Sequence, residues 1–186
     1  LNTFKEPFND LRVRKALAYA INWDEIIDQL YAGYAYKIGA IHPKGVHHYC
    51  NIKPHEFDPK KAKQLLREAR SEGLEFQMDS PSSWFYLDKE ATQIIVNQLQ
   101  KVGIKPKFWS AERGTFWDHW VNKNSQASYM ACGNVQSGAD FCYRLHFHSA
   151  RRGIYYNSVE IENILDTFAN SSDESKQKNL ACQFQQ

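Results

Sequence analysis

The chain of 186 residues lacks any apolar run of the roughly 18 residues needed to cross a bilayer, so nothing in it reads as a membrane span. It lacks a surplus of one charge: the formal net charge is +2 and the basic residues are scattered, which argues against a nucleic-acid footprint. Motifs of covalent or phosphate chemistry are missing too. There is no G-x-S-x-G turn for a nucleophile, and neither G-x-x-x-x-G-K-[ST] nor G-x-G-x-x-G to cradle a phosphate. Paired carboxylates for acid–base work are absent, because Asp79, Glu112 and Asp140 each stand alone near a predicted strand end. The four cysteines, Cys50, Cys132, Cys142 and Cys182, are too few and too scattered for a disulfide scaffold and form no C-x-x-C pair. Cys132 and Cys142 flank the loop from Gly133 to Ala139. They read either as a bridge closing that loop in an oxidising compartment or as two buried thiols.

The ends lack punctuation as well. LNTFKEPF has neither an initiating Met nor the charged-then-apolar order of a secretory signal, and Leu180 to Gln186 stop inside a predicted helix. Both ends therefore read as cut. What the chain has in excess is aromatics, at 14%, with five Trp, ten Tyr and eleven Phe against an ordinary 42% hydrophobic content. Large amphipathic rings in that number suggest a binding surface as well as a core.

Hydrophobic spacing gives the order of elements. Asn9 or Asp10 caps a helix whose stripe is Val13, Ala16, Leu17, Ala20 and Ile21, and a second short helix from Asp24 stops at Gly33. A long connector without period follows to His55. Asp58-Pro59 is a strong helix start, with Ala62, Leu65, Leu66 and Ala69 inward and a lysine-rich face in solvent. Leu74, Phe76 and Met78 then alternate as a strand, and Asp79 to Ser83 reads as a turn-rich loop. Next come a helix through Ala91, Ile94, Ile95, Leu99 and Val102, a strand from Ile104 to Trp109, and an aromatic helix from Glu112 to Lys123. A third strand over Tyr129 to Cys132 follows, then a helix on Ile161, Ile164, Leu165 and Phe168 and a last one capped by Ser172 or Asp173. Strands alternating with helices of this length imply an α/β fold with a mixed, mostly parallel sheet flanked by helices.

Ligands in such folds bind beyond the carboxyl ends of the strands. Trp84, Trp109 and Asn134 lie at or just past predicted strand ends, and Asp140 lies further along the third strand's loop. These four are the candidate ligand-binding residues. His47-His48 and His146-x-His148 are the only metal candidates, and spacing supplies no third ligand, so neither a metal site nor a cofactor is expected.

Several motifs carry a resemblance. PFNDLRVRKALAYAINWDEII (Pro7 to Ile27), FDPKKAKQLLREA (Phe57 to Ala69), QLQKVGIKPKF (Gln98 to Phe108), RGTFWDHW, LHFHS and YYNSVEIENILD occur in an order that resembles the oligopeptide and dipeptide solute-binding proteins of ABC transporters, family 5. The resemblance covers essentially the whole chain. It implies a type II periplasmic-binding-protein-like lobe, with residues 1–186 as a single C-terminal lobe of a two-lobed protein, truncated at both ends. It implies an extracytoplasmic binding protein, periplasmic or at the cell surface, and not an enzyme. The implied partners are a peptide or small-molecule ligand, the missing N-terminal lobe and the permease subunits. The chain departs from the peptide binders at one place: Gly133-Asn134 stands where they usually have Gly-Trp, and Asp140 is the nearest match to their ammonium-binding Asp. Family members also take sugars, opines, glutathione, haem or nickel complexes. A sugar or opine receptor, a metal-complex receptor and a ligand-sensing lobe fused to a regulator are therefore the alternatives.

Overall fold

Asp10 begins the first helix: its carboxylate accepts from the backbone N–H of Arg12, and α1 runs over Leu11–Ala20. Asn22 caps α2 (Trp23–Tyr31) by accepting from the N–H of Glu25, and the chain leaves through Ala32 and Gly33, both at positive φ. Asp58 caps α3 (Pro59–Glu68), taking the N–H groups of Lys60 and Lys61 while Pro59 fills the first turn. The remaining elements formed by the described residues include β1 (Glu75–Ser82), α4 (Asp88–Lys101), β2 (Lys105–Glu112), α5 (Arg113–Val121), β3 (Ala127–Ser128), α6 (Val159–Ala169) and α7 (Glu174–Gln185). This computed structural model describes residues 1–131, 146–150, 155, 156 and 158–185.

The chain divides into two compact units, Leu1–Lys37 with His55–Ala131 and Ile38–Pro54 with Cys132–Gln186. In the first unit the strands form a parallel sheet of order β2-β1-β3 among the described residues. Phe76, Met78 and Phe108 project into a core with Ile95, Val96 and Leu99 of α4, which Val13, Ala16 and Leu17 of α1 and Ala62 and Leu66 of α3 complete. Asp79 points the other way, toward His119 of α5. Alternation along β1 therefore places α4 and α5 on opposite faces of the sheet. Buried Gln98 ties α4 to the α1–α2 junction by accepting from Asn22 N–H at 2.9 Å and donating to Asn22 O and Glu25 Oε2.

In the second unit α6 and α7 pack through Leu165, Phe168 and Ala181, with Phe147, Ile161, Leu180 and Phe184 around them. Asp173 caps α7 by accepting from Lys176 N–H. The connector segment of this unit has no helix or strand, as its lack of period predicts, and a disulfide joins its Cys50 to Cys182 on α7. Spacing gave no hint of that pair, since the two cysteines are 132 residues apart. Cys132 and Cys142 lie outside the described residues.

Two strand boundaries differ from the sequence reading. β1 continues through Ser82 instead of ending at Met78, because β2 stays in register with it as far as Ser82↔Glu112. Pro81 is tolerated there because, among the described residues, β3 pairs with β1 only at Met78 and Asp79, so the missing N–H leaves no ladder bond unmade between them. β3 occupies Ala127–Ser128, earlier than the apolar run beginning at Tyr129. A continuous apolar run marks burial but carries no register; here Met78↔Ala127 sets it.

Candidate functional site

The carboxyl ends of β1 and β2 lie side by side, and each runs directly into a segment that packs on the other. After Ser82 the chain turns through Ser83 at φ 63° and presents Trp84 and Phe85, whose rings stack at 4.9 Å. One carboxylate holds that turn. Asp88, only 2% exposed, accepts the N–H groups of Ser83 (3.2 Å), Trp84 (2.9 Å) and Phe85 (2.9 Å) as well as that of Lys89. Thr92 secures the arrangement from below, donating to the carbonyl of Asp88 while its hydroxyl lies 3.1 Å from that of Ser80. Trp84 is thus fixed by both backbone and ring.

Beyond Glu112 the strand β2 passes without a linker into α5, which brings its first two turns against Trp84. The Trp84 ring meets Phe116 and Trp117 edge-on, at 6.1 and 5.7 Å between centroids, and Trp117 stacks in turn on Trp120. The guanidinium of Arg113 sits over the Trp84 ring, 4.9 Å from its centroid. A cavity of about 320 Å³ opens here, lined by Trp84, Arg113, Gly114 and Trp117.

Trp109 is placed differently. β2 extends past it, so it lies within the strand, three residues before its end, opposite Asp79 on β1. Its ring packs on that of His119, at 4.6 Å. His119 Nε2 stands 3.2 Å from Oδ2 of Asp79, close enough to pair in charge but off the line of a hydrogen bond; Oδ1 of the same fully buried carboxylate accepts from Gln77. The two tryptophans therefore rest on successive turns of α5. Among the described residues no ring contact joins Trp84 to Trp109. Asn134 and Asp140 lie outside the described residues. Past β3, burial first and then a hydrogen bond with Tyr31 raise the pKa of the Tyr129 phenol well above its ordinary value.

Sequence reasoning missed Arg113, Trp117 and the role of Asp88. Trp117 was visible as one of three aromatics on a helix, but only the register Ser82↔Glu112 reveals that the start of α5 faces Trp84.

The histidine pairs sit in the second unit. His47 lies 3.0 Å from Glu174 and its ring meets that of His48 at a tilt, with centroids 3.9 Å apart, beside a cavity of about 530 Å³ that Tyr49 and Lys178 also line. His148 uses both ring nitrogens: Nδ1 accepts from Ala150 N–H, so Nε2 carries the proton toward Asp166 at 3.1 Å. Among the described residues no group of three His, Cys, Asp or Glu side chains is arranged to hold a metal, so the metal-complex alternative gains no support from them.

Comparison with known proteins places the chain. Residues 1–153 match the middle region of the bacterial extracellular solute-binding proteins, family 5, and the chain belongs to that family. Over 115 residues it is 32% identical to the glutathione-binding protein GsiB of Escherichia coli K12, a match covering 61% of this chain and 22% of GsiB. The periplasmic binding protein DppA of Helicobacter pylori, solved in complex with the peptide STSA, superposes with a TM-score of 0.84 at 28% identity, over 100% of this chain and 37% of DppA. AgaA of Agrobacterium tumefaciens, solved with agropinic acid, gives 0.85 at 25% identity over 98% and 39%. The fold is that of periplasmic binding proteins, as the family resemblance implies, and its parallel sheet flanked by helices is what the strand–helix alternation predicts. The chain spans about a fifth of the length of the curated relatives it matches, 22%. Family membership makes this an extracytoplasmic chain, a setting in which a disulfide such as Cys50–Cys182 persists. Among the described residues no helix is long and apolar enough to cross a membrane.

Proposed function

We propose that this chain is the C-terminal lobe of the solute-binding component of an ABC importer, which captures a peptide or similar small polar solute between two lobes. The observation that carries the reading is an aromatic, cation-bearing corner at the carboxyl ends of two parallel strands, in a chain of this family. Binding requires no bond making. Closure of the lobes around the solute shifts an open–closed equilibrium, and the permease subunits read the closed state. In this reading the protein is not an enzyme. Trp84 and Trp109 supply apolar surface, while Asn134 and Asp140 supply hydrogen-bonding and charged groups. The relatives that bind glutathione and the peptide STSA support a peptidic ligand.

A second reading, a sugar or opine ligand, draws on the likeness to AgaA and on Asn134, which stands where peptide binders of the family usually have Trp. A thermal-shift screen of the intact protein separates the two, using glutathione, di- and tripeptides, oligosaccharides and opines, each repeated with Asp140→Ala. A ligand that binds only the folded protein stabilises it by about 2.7 kcal/mol at a hundredfold excess over its Kd. A peptide hit lost in Asp140→Ala supports the first reading, and a sugar or opine hit that survives the substitution supports the second. Turnover of a solute that maps to residues of this chain would overturn both.

A further inference from the structure

We infer that the corner made by Trp84, Arg113, Gly114 and Trp117 is the subsite for an anionic group of the captured solute, a carboxylate above all. The inference rests on the solute-binding reading and adds to it the charge of the ligand. Arg113 is the centre of the argument. Its guanidinium lies over an indole face, at 4.9 Å from the centroid. That contact sets the cation against an aromatic face and, among the described residues, occupies none of its five N–H donors, which lie in the guanidinium plane and match the two oxygens of a carboxylate. Among the described residues no carboxylate pairs with Arg113, its neighbour Glu112 included. Among the described residues, an exposed arginine held against an indole ring thus presents its charge at a strand end without a carboxylate partner.

The space in front of it is shaped for a ligand. The cavity of about 320 Å³ is at the lower end of the range of small-molecule pockets, right for one group of a larger solute. Gly114 keeps it open: a Cβ at that position would meet nothing within 4 Å, so any larger side chain there would project into free space and not into the core. Trp117, edge-on to Trp84 at 5.7 Å, makes the opposite wall and lowers the local dielectric, which strengthens a charge pair formed there. The same corner is the amino end of a helix of nine residues whose preceding residue, Glu112, gives it no side-chain cap. Its first N–H groups add a second, weaker preference for negative charge.

The test is isothermal titration calorimetry of the intact protein with one pair of probes, the tripeptide Ala-Phe-Ala as free acid and as C-terminal amide. Both are titrated into wild type, Arg113→Gln and Gly114→Leu. The expected result is that wild type binds the acid roughly 10- to 100-fold more tightly than the amide, the range for one charge-assisted hydrogen-bonded pair. Arg113→Gln should bind acid and amide alike. Gly114→Leu should weaken the acid while its melting temperature stays at or above that of wild type, because the leucine fills the pocket and leaves the core unchanged. If Arg113→Gln keeps the full preference for the acid, the inference falls and the solute-binding reading stands. Undiminished binding of the acid by Gly114→Leu likewise moves the anion away from this corner. If wild type binds neither probe, the peptide reading and the inference fail together.

Discussion

Replacing Asp88 with alanine asks whether one buried carboxylate holds the aromatic corner in place. The side chain is 2% exposed and receives three N–H groups from the turn after β1, those of Ser83, Trp84 and Phe85, plus that of Lys89 in its own helix. Each hydrogen bond to a charged acceptor contributes about 1.5–3 kcal/mol. The three turn bonds do not simply add, because Ser83 is exposed and Trp84 and Phe85 are half-buried, so water can reach the freed donors. A net loss of about 2–4 kcal/mol follows, which for a chain of this size lowers the melting temperature by roughly 5–15 °C. Asp88→Asn should recover little of this. One of its two positions becomes an NH2 group, and Oδ2 now takes two N–H donors while Oδ1 also takes two, so either orientation opposes donor to donor. The assay is urea unfolding followed by tryptophan fluorescence, with near-UV circular dichroism as a report on the Trp84 environment. If Asp88→Ala unfolds at the wild-type urea midpoint with an unchanged near-UV spectrum, ring packing on Phe116 and Trp117 holds the turn and the carboxylate is dispensable.

Other perturbations separate the forces at work elsewhere. Substituting alanine for both Cys50 and Cys182 removes a link across 132 residues and should cost about 2–5 kcal/mol, read as a lower urea midpoint under non-reducing conditions; an unchanged midpoint would mean that packing of α6 on α7 suffices. Gly39→Ala should destabilise by about 1–3 kcal/mol or more, because its Cβ would press on the backbone of Ile52 and Lys53, which cannot move aside as a side chain would; a wild-type melting curve would refute the close approach. Burial lowers the pKa of His42 and of His146, and burial followed by the charge of His47 lowers that of His48. In the unfolded chain these histidines take up protons as the pH falls through about 6.5, while the folded chain resists until lower pH, so stability is full above that value and declines below it. Melting temperatures at pH 7.5 and 5.5 should therefore differ, the lower pH giving the lower value, and a flat profile would contradict the buried neutral state.

The parts of the fold that the sequence made legible are those encoded locally. Asp10, Asp58 and Asp173 each cap the helix that their position announces, because a short polar side chain before an apolar stripe is itself the physical cause of the helix start, whereas α2 is capped by Asn22 and not begun by Asp24 as read. Among the described residues α3, β1, α4, β2, α5, β3, α6 and α7 come in the order read, for the same reason: periods of 3.6 and 2 are properties of single segments. Strand limits are set by partners and not by segments. Asp79, Ser80 and Pro81 look like turn residues, yet they stand in β1 because Trp109, Ser110 and Ala111 pair with them. The disulfide is the extreme case, since nothing near Cys50 points to Cys182.

The candidate site falls on the same dividing line. Trp84 was found from its place after a strand, a local property, whereas Arg113 became visible only through the pairing of Ser82 with Glu112. That pairing alone does not make Arg113 part of a site. In parallel strands of equal length any residue after β2 would lie near some residue after β1. What singles out Arg113 is that β2 runs into α5 with no loop, so the cation is carried by a rigid element, while Asp88 fixes the indole it rests on. Two independent constraints, a strand–helix junction and a buried carboxylate, converge on a single cation–ring contact. A surface arginine held only by solvent would be free to take many rotamers and would lose that freedom on binding. Here the ordering is already present before a solute arrives, which is the condition under which one charged side chain can discriminate between an acid and its amide.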